Sequence, residues 1–404
     1  MSDNKTVVVL PGAKWQIPLI NKLKMYGYRV LVVNPYDESP SFPYADGHLQ
    51  ADIFDIKSIK QYCEEEHACA LITEECDIAM PVVAELGAAL GYPTLSTAAA
   101  RLFTDKYAMR MHCQANGFAY PEYRLCNTLD HAREFMIKLN HPVVLKPIDS
   151  NSSRGVHIVG NVEDLESCFA DSLSYSRVKK AVLVERFIEG PEFTVDGVKG
   201  PNGHATLAIS KKKHFAHNKS IASELYFTAS DARYDYDELR SINDKLLAGT
   251  PLEFGLTHVE YKYENDRYYL IEMAARGGGN LISSHIVPFL SRFDNYSYLI
   301  DCSVNGAKSF DVEQAATLSP RCAVLKFFEC PHGGGKVARI EGIELLNSLP
   351  DVSVYAFNFK PGDRIDEASN DASRVGYYIA LCNSETRLKQ VMKSISEEVR
   401  IVLE

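Results

Sequence analysis

Strand and helix signals alternate along the first hundred residues, and this alternation constrains the fold more than any other feature. Apolar and β-branched residues fill short runs at 6–10, 29–34 and 70–73, as expected of buried strands. Residues 17–26 and 80–90 instead repeat apolar side chains at the spacing of a helix face. Because strands that alternate with helices form a parallel sheet covered on both faces, this segment is predicted to be a doubly wound α/β domain.

The first strand ends in a turn that could be mistaken for a dinucleotide-binding turn. Its sequence is Pro11-Gly12-Ala13, with a single glycine where the G-x-G-x-x-G pattern needs several. Close approach of a pyrophosphate depends on those glycines, so a structural turn is favoured over nucleotide binding. A dinucleotide-dependent dehydrogenase is disfavoured for the same reason.

Composition limits the class of protein. The 404 residues, of which 46% are hydrophobic and 24% charged, suffice for two or three globular domains. The net charge of −10 argues against binding to nucleic-acid backbones, and no stretch approaches the ~20 apolar residues of a membrane span. None of the ten cysteines has the two-residue spacing of a zinc or redox motif. A cytoplasmic protein is expected, with small-molecule partners and without nucleic acid or membrane contact.

The first chemical motif is a lysine at the end of an apolar strand, followed by a loop of small polar residues. Residues 142–147 read Pro-Val-Val-Leu-Lys-Pro, and residues 149–155 read Asp-Ser-Asn-Ser-Ser-Arg-Gly. Such a loop can lay backbone N–H groups over phosphate oxygens, and Lys146 would add a point charge. Taken alone, the motif is more simply explained as a hairpin with a solvated lysine.

The second motif is an apolar strand that ends at Glu185 and resumes after a short connector near Gly190-Pro191. A connector between two lobes suits an adenine, which needs backbone partners and apolar walls. Glu192 could accept hydrogen bonds from ribose hydroxyls. Taken alone, an edge turn is the simpler explanation.

The third motif covers residues 258–273, which read as two strands joined near Asn265-Asp266. If the turn has three residues, Glu260 and Glu272 lie opposite each other with Cβ atoms about 5 Å apart, which is unfavourable when both are charged. A Mg²⁺ ion between them would remove the repulsion, because Mg²⁺ prefers oxygen ligands and keeps phosphates as further ligands. The alternative is a different register with two solvated glutamates.

Two further segments carry charge or glycine. Arg276 precedes Gly277-Gly278-Gly279, and its guanidinium could stabilise a transferring phosphoryl group while the glycines let a substrate approach. The similar run 332–336 is predicted to be a loop. The basic cluster 211–214, with His217 and Lys219, either closes over a triphosphate or substrate carboxylate or forms a solvated strand.

In this order, the motifs resemble the ATP-grasp superfamily, specifically the carboxylate–amine ligase branch that includes the L-amino-acid ligases. The resemblance covers nearly the whole chain. It implies that ATP is held by phosphate, adenine and ribose contacts at Lys106, Lys146, Ser150, Ser152, Ser153, Gly155, Glu185, Ile188 and Glu192. It implies that Glu260 and Glu272 bind Mg²⁺, with Mn²⁺ as an alternative, and that Arg276 and Lys146 are catalytic.

The resemblance also implies an organisation of mixed α/β and α+β type. Residues 1–100 would form the α/β domain that precedes the ATP-grasp domain. Residues 101–310 would form the nucleotide-binding domain, with a hinge near 183–192, and residues 311–404 a C-terminal α+β lobe.

The function implied is an ADP-forming ligase that activates a carboxylate as an acyl phosphate and condenses it with an amine. The alternatives are an ATP-grasp enzyme that makes carboxyphosphate or formyl phosphate, and an ATP-binding module without catalysis. The second alternative is suggested by Ala274, because family members usually carry asparagine at that position beside the metal. The oligomeric state stays open, and relatives of this type are often homodimers.

Overall fold

The structure is a computed structural model that describes residues 5–149, 154–176, 180–316 and 319–404. The predicted phosphate-loop residues Ser150, Ser152 and Ser153 lie outside the described residues.

The strands of the described residues are β1 (Thr6–Val9), β2 (Arg29–Asn34), β3 (Gly47–Gln50), β4 (Ala68–Ile72), β5 (Tyr123–Cys126), β6 (Val143–Pro147), β7 (His157–Val159), β8 (Val182–Arg186), β9 (Glu192–Gly200), β10 (Gly203–His214), β11 (Ala222–Phe227), β12 (Gly255–Glu264), β13 (Arg267–Ala274), β14 (Cys322–Phe327), β15 (Gly335–Glu341), β16 (Val352–Phe357), β17 (Arg364–Ile365), β18 (Gly376–Cys382) and β19 (Arg400–Leu403).

The α-helices are α1 (Ile17–Met25), α2 (Ile56–Glu65), α3 (Met80–Leu90), α4 (Thr97–Thr104), α5 (Lys106–Asn116), α6 (Leu129–Leu139), α7 (Leu165–Tyr175), α8 (Tyr236–Ala248), α9 (Val287–Ser291), α10 (Asn295–Asn305), α11 (Val312–Ala315), α12 (Ile343–Ser348) and α13 (Glu385–Glu398). Short 3₁₀ turns include Lys14–Gln16 and Asp77–Ala79.

The N-terminal segment contains a four-stranded parallel sheet in the order β3-β2-β1-β4. Val7 and Val9 of β1 belong to one apolar cluster, and Val8 to another, so the two faces of the sheet pack against different cores. Strands buried on both faces are expected to read as continuous apolar runs, as β1 does. The predicted doubly wound arrangement is confirmed for this segment.

A second sheet, in the order β5-β8-β6-β7, is antiparallel and packs against its own cluster of apolar side chains. Lys146 lies on β6 and Glu185 on the neighbouring β8. The predicted strand at 143–146 and the predicted strand ending at Glu185 are therefore adjacent.

The largest sheet has eight strands in the order β13-β12-β9-β10-β11-β14-β18-β16. Its strands β14, β16 and β18 come from the segment predicted to be a C-terminal lobe, and β14 pairs with β11 of the middle segment. The boundary predicted near residue 310 remains a prediction, since one sheet continues across it.

The β12–β13 hairpin pairs Glu260 with Glu272, which confirms the predicted register. The predicted three-residue turn is wrong. Asn265 and Asp266 form a two-residue turn at φ 51° and 57°, and Glu264 pairs directly with Arg267. A bulge between Glu260 and Tyr261 supplies the extra residue, so the two glutamates still face each other.

Candidate functional site

A cavity of about 670 Å³ lies where the parallel sheet, the small antiparallel sheet and the eight-stranded sheet approach one another. It is lined by most of the residues that the sequence predicts for the site: Lys106, Lys146, Glu185, Ile188, Glu192, Glu260, Glu272 and Arg276. Val156 lines the cavity next to Gly155. Another cavity, of about 650 Å³, opens among residues 358–375 and includes none of the predicted residues.

Lys146 lies at the deep wall of the cavity in a buried ion cluster. Its Nζ is 2.6 Å from Oε2 of Glu185, whose Oε1 accepts from Arg110 Nε at 2.5 Å. Burial lowers the pKa of the Lys146 ammonium, with the nearby Arg110 guanidinium acting in the same direction. Burial opposes ionisation of Glu185 as well, but Arg110 and Lys146 hold the pKa of its carboxyl below the ordinary value. Glu185 is therefore an anchor for the lysine in this arrangement.

Arg110 was missed by sequence reasoning. It is fully buried on α5, and its Nη2 also donates to the carbonyl of Ile271 on β13 at 2.6 Å. Arg110 thus ties the small sheet to the hairpin that carries the two glutamates. The only available sequence signal was an arginine on the buried face of an amphipathic helix.

Glu260 and Glu272 both line the cavity, and each faces an ammonium group. Lys212 Nζ lies 2.6 Å from Oε1 of Glu260, and Lys106 Nζ lies 2.8 Å from Oε1 of Glu272. The two lysines offset the repulsion that the pairing of the glutamates creates. Within the described ranges, no cluster of three or more His, Cys, Asp or Glu side chains could hold a metal alone.

The donor set nevertheless fits Mg²⁺. Carboxylate oxygens are hard ligands, and Mg²⁺ is commonly bound by one or two carboxylates together with phosphates and water rather than by an all-protein cage. Two opposed glutamates at the edge of a cavity that also holds lysines match that pattern. Ala274, opposite His258 in the hairpin register, offers no side-chain ligand.

Glu192 is bound to the basic cluster of β10. Lys212 Nζ lies 2.5 Å from its Oε1, and His214 Nε2 lies 3.4 Å from its Oε2. Burial opposes the charge of Glu192, but Lys212 and His214 hold its pKa below the ordinary value. Burial also disfavours the charged form of Lys212. Glu192 and Glu260 outweigh this effect and raise the pKa of its ammonium group.

The basic cluster is divided between the two faces of β10. Lys212 and His214 line the cavity. Lys211 and Lys213 are directed to the other face, where they pair with Asp231 at 3.6 Å and with Glu224 at 2.6 Å. Neighbouring residues of a strand point to opposite faces, and closure of the cluster over a triphosphate or a substrate carboxylate stays a prediction.

Arg276 is held by a residue of the N-terminal segment. Its Nε donates to Asp77 Oδ1 at 2.9 Å, its Nη2 to Asp77 Oδ2 at 2.6 Å, and its Nη1 to the carbonyl of Gly277 at 2.8 Å. Burial opposes the charge, but Asp77 raises the pKa of the guanidinium above its ordinary value. Sequence reasoning missed Asp77, which lies 199 positions away along the chain.

Two of the three glycines that follow Arg276 pack tightly against other residues of the protein. A Cβ on Gly277 would lie 1.5 Å from Ser283 Oγ, and one on Gly278 would lie 2.6 Å from Asp196 Oδ1. Their N–H groups donate to Glu74 and Asp196 at 3.1 and 3.0 Å. Gly277 and Gly278 are therefore required for packing, Gly279 lines the cavity, and approach of a substrate to the glycines stays a prediction.

Two family models match the chain. Residues 139–285 match the ATP-grasp domain, and residues 328–404 match the L-amino acid ligase C-terminal domain 2. The first range spans the lysine strand, the hinge, the glutamate pair and Arg276. The second begins just after β14 and spans β16 and β18 of the eight-stranded sheet.

One curated relative and several solved structures match nearly the whole chain. The formate-dependent phosphoribosylglycinamide formyltransferase of Bacillus subtilis is 24% identical over 385 residues, which are 93% of this chain and 96% of that protein. The L-amino acid ligase from Bacillus licheniformis matches with TM-score 0.84 at 19% identity over 100% of both chains.

A further solved structure, the N5-carboxyaminoimidazole ribonucleotide synthetase from Thermotoga maritima, matches with TM-score 0.73 at 18% identity over 99% of this chain and 100% of that one. At such identities the structural matches establish the fold, and the predicted ATP-grasp fold is confirmed. In the part of the chain that the structure describes, no helix is both long and apolar enough to cross a membrane.

Proposed function

We propose, from the matches of residues 139–285 to the ATP-grasp domain and of residues 328–404 to the L-amino acid ligase C-terminal domain 2, that the chain is an ADP-forming carboxylate–amine ligase. ATP would phosphorylate a carboxylate, and an amine would then displace the phosphate to form an amide. The observation that carries the proposal is one cavity that brings together Lys106, Lys146, the Glu260–Glu272 pair and Arg276.

ATP would lie along the wall between the small sheet and the β12–β13 hairpin. Ile188 and its apolar neighbours Val144, Ile158 and Phe187 offer a surface for the adenine. Glu192, at the start of β9, is suited to the ribose hydroxyls. We assign Glu185 the task of holding Lys146, because its carboxylate is already bound to Arg110 and Lys146.

The phosphates would meet the ammonium groups of Lys106 and Lys146. A lysine released from its carboxylate partner by an incoming phosphate exchanges one anion for another, so the buried charge stays compensated. Glu260 and Glu272 would hold Mg²⁺. When bound, the metal supplies charge neutralisation at the β- and γ-phosphates.

The chemical step needs alignment and charge stabilisation rather than covalent catalysis by the protein. A carboxylate oxygen of the acid attacks the γ-phosphorus, and ADP leaves with the electron pair of the broken P–O bond. Arg276, fixed by Asp77, is aimed to stabilise the charge on the transferring phosphoryl group and the resulting acyl phosphate.

The second half-reaction forms the C–N bond. The uncharged amine attacks the carbonyl carbon of the acyl phosphate, inorganic phosphate leaves, and the nitrogen releases a proton. Because an acyl phosphate hydrolyses in water, the walls of the cavity must close over it.

A second candidate uses formate as the acid. The match to a formate-dependent formyltransferase over 93% of the chain favours it, and the same nucleotide residues would serve. The match of residues 328–404 to the L-amino acid ligase C-terminal domain supports an amino acid instead.

Trapping with hydroxylamine separates these candidates without knowledge of the natural amine. The protein is incubated with Mg-ATP, hydroxylamine and either a pool of the twenty L-amino acids, formate or bicarbonate, and hydroxamates and ADP are quantified. Amino-acid hydroxamates support the ligase, and formohydroxamate supports the second candidate. ATP binding without hydroxamate or ADP from any acid would contradict both.

Two expectations about location and assembly belong to the same proposal. We propose that the protein acts in the cytoplasm on small molecules, and that a homodimer is its assembly. Multi-angle light scattering of the purified chain tests the second point directly, since a monomer mass would contradict it.

A further inference from the structure

Strands β9, β12 and β13 place a row of three residues beside the glutamate pair. His258 of β12 pairs with Asp196 of β9 on one side and with Ala274 of β13 on the other. Glu260 follows His258 by two positions, so both side chains lie on the same face of the sheet. Both line the cavity, whereas Val259, between them, is fully buried on the other face. His258 is therefore the cavity-facing neighbour of a proposed metal ligand.

The imidazole of His258 is held from behind by a buried carboxylate. Its Nδ1 lies 2.9 Å from Asp196 Oδ1, which also accepts from the N–H of Gly278 at 3.0 Å. A carboxylate accepts hydrogen bonds and does not donate them, so Nδ1 carries the proton. A Cβ on Gly278 would lie 2.6 Å from Asp196 Oδ1 and 3.0 Å from His258 Nδ1, so glycine is required for this pair to form. These contacts fix the orientation of the ring.

The other ring nitrogen, Nε2, is left for a ligand. Among the described residues it has no hydrogen-bond partner, and it faces Glu260 Oε1 at 4.0 Å. With the proton on Nδ1, Nε2 of the neutral ring carries a lone pair that can bind a metal ion. A histidine that binds a metal almost always donates its other N–H to a carboxylate, a carbonyl or water. Asp196 supplies that partner here.

Asp196 provides a second, independent observation. It is 1% exposed, and its Oδ2 is buried without a hydrogen-bond partner in the part of the chain that the structure describes. No lysine or arginine of those residues pairs with it, and His258 is its one ionisable partner there. A buried carboxylate is costly unless its charge is compensated. A metal ion bound at Nε2 would place a positive charge on the far side of the same ring.

The distances fit a single ion. Two ligands that each lie about 2.1 Å from one metal ion can be no more than about 4.2 Å apart. His258 Nε2 and Glu260 Oε1, at 4.0 Å, satisfy this limit. The ammonium of Lys212 is the cation at Glu260 Oε1 in the structure, at 2.6 Å. Lys212 keeps Glu192 as a partner at 2.5 Å when another cation takes its place at Glu260.

We propose that His258 Nε2 is a ligand of the metal ion that Glu260 binds, with Asp196 as its positioning residue. The inference rests on the proposed function, in which Glu260 and Glu272 hold the metal that accompanies ATP, and it adds a nitrogen to their oxygen ligands. Imidazole suits transition metals, whereas Mg²⁺ prefers oxygen. The site therefore favours a divalent transition-metal ion over Mg²⁺, and Mn²⁺ is the probe of choice.

Pulsed electron paramagnetic resonance of bound Mn²⁺ tests the nitrogen ligand directly. The protein is saturated with a non-hydrolysable ATP analogue and Mn²⁺, without any acid or amine. A directly bound imidazole adds the modulation of a ¹⁴N nucleus to the echo decay. We expect this modulation in the unlabelled protein, and its replacement by a ¹⁵N signal when only the histidines carry ¹⁵N. The label separates a histidine ligand from the nitrogens of the adenine and of the lysines.

The variant His258→Gln removes the nitrogen ligand and offers an amide oxygen instead. We expect the histidine signal to disappear and the affinity for Mn²⁺ to fall about 10-fold or more in the presence of the nucleotide analogue. The affinity for Mg²⁺ should fall less, so that the preference for Mn²⁺ over Mg²⁺ decreases. His332→Gln is the matched control, because His332 is 99% exposed and does not line the cavity.

Bound Mn²⁺ without a histidine signal in the wild-type protein, or with the same signal in His258→Gln, would overturn the nitrogen ligand and leave the ligase proposal untouched. The labelled wild-type protein decides the question even if the variant does not fold. Failure of Mn²⁺ to bind beside the nucleotide analogue would overturn this ligand together with the metal assignment of Glu260 and Glu272. Hydroxylamine trapping judges the ligase independently of these spectra.

Discussion

At the scale of single residues, the site is a set of ion pairs that ligands would rearrange. Lys146, Lys106 and Lys212 each contact a glutamate within 2.8 Å. Sequence reasoning identified Lys146 because it lies at the end of an apolar strand, Lys106 through the family resemblance, and Lys212 as part of a basic cluster. It could not identify the partners, since Asp77 and Arg276 are 199 positions apart and Arg110 and Glu185 are 75 apart. Pairing over such distances is set by the tertiary fold.

The proposed metal ligand can be tested by removing one charge. Glu272→Gln keeps the shape of the side chain and its neighbours but weakens an oxygen ligand. We expect the rate of ADP release to fall by about 100-fold or more, with the unfolding midpoint close to that of the wild type. The control is Glu85→Gln, an exposed position on α3. Unchanged ADP release in Glu272→Gln would defeat the assignment.

Asp77 should act as a positioning residue for Arg276. In Asp77→Ala the guanidinium loses both of its carboxylate contacts, so it should no longer hold the acyl phosphate in one orientation. We expect kcat to fall about tenfold or more while KM for ATP stays the same, because Asp77 lies outside the proposed nucleotide contacts. Asp77→Glu should recover part of kcat.

The control for this pair is Asp130→Ala, which removes an exposed partner of Arg133. Steady-state kinetics with saturating substrates separate kcat from KM. A proportional loss of stability and activity in Asp77→Ala, without recovery in Asp77→Glu, would mean that Asp77 acts on folding alone.

At the scale of elements, local rules predicted the buried strands well and the exposed edges poorly. The predicted strand 29–34 and helix 80–90 have the same bounds as β2 and α3. The edge strand β3 was missed because its sequence, Gly-His-Leu-Gln, contains no β-branched residue and alternates between half-buried and exposed positions. The hairpin turn was misjudged because a bulge in the strand, rather than the turn, sets the register of Glu260 and Glu272.

The turn after β1 offers a test of an element that local rules treated as merely structural. In Gly12→Ala the new Cβ would meet Val32 Cβ at 2.5 Å, between two strands of one sheet that cannot separate freely. We expect a loss of about 1–3 kcal/mol in the free energy of unfolding. Chemical denaturation measures this effect.

Gly160→Ala is the matched control, because a Cβ there meets nothing within 4 Å and its backbone is not left-handed. An equal change in stability for Gly12→Ala and Gly160→Ala would contradict the packing argument.

At the scale of the whole molecule, the cavity depends on three parts of the chain meeting. Lys14 and Glu75 come from the parallel sheet, Lys146 from the small sheet, and Tyr377 from the C-terminal end of the eight-stranded sheet. The fold class follows from sequence pattern and resemblance. The cavity does not, because it forms only after distant segments pack together.

The buried Glu75 should leave a signature in the pH dependence of stability. Its pKa is raised in the folded protein, so the folded state keeps a proton that the unfolded state releases as the pH rises above about 4.5. Its contribution to stability is therefore present at low pH and is lost as the pH rises through the folded-state pKa. Glu75→Gln should remove this loss, and the variant should be more stable than the wild type at pH 7.

Urea unfolding between pH 4 and pH 8 measures this difference, with Glu85→Gln as the exposed control. The advantage of Glu75→Gln should shrink toward pH 4. A constant gap, or a wild type that is the more stable protein at pH 7, would contradict the raised pKa of the Glu75 carboxyl.

The most direct test of the ligase proposal is ADP release with Mg-ATP over all pairs of the twenty L-amino acids, with product masses recorded. The prediction is that ADP forms when two amino acids are present together and that a condensed product appears in equal amount. ADP that forms only with formate or bicarbonate, or no ADP from any mixture by a protein that binds ATP, would contradict the proposal that this chain joins a carboxylate to an amino acid.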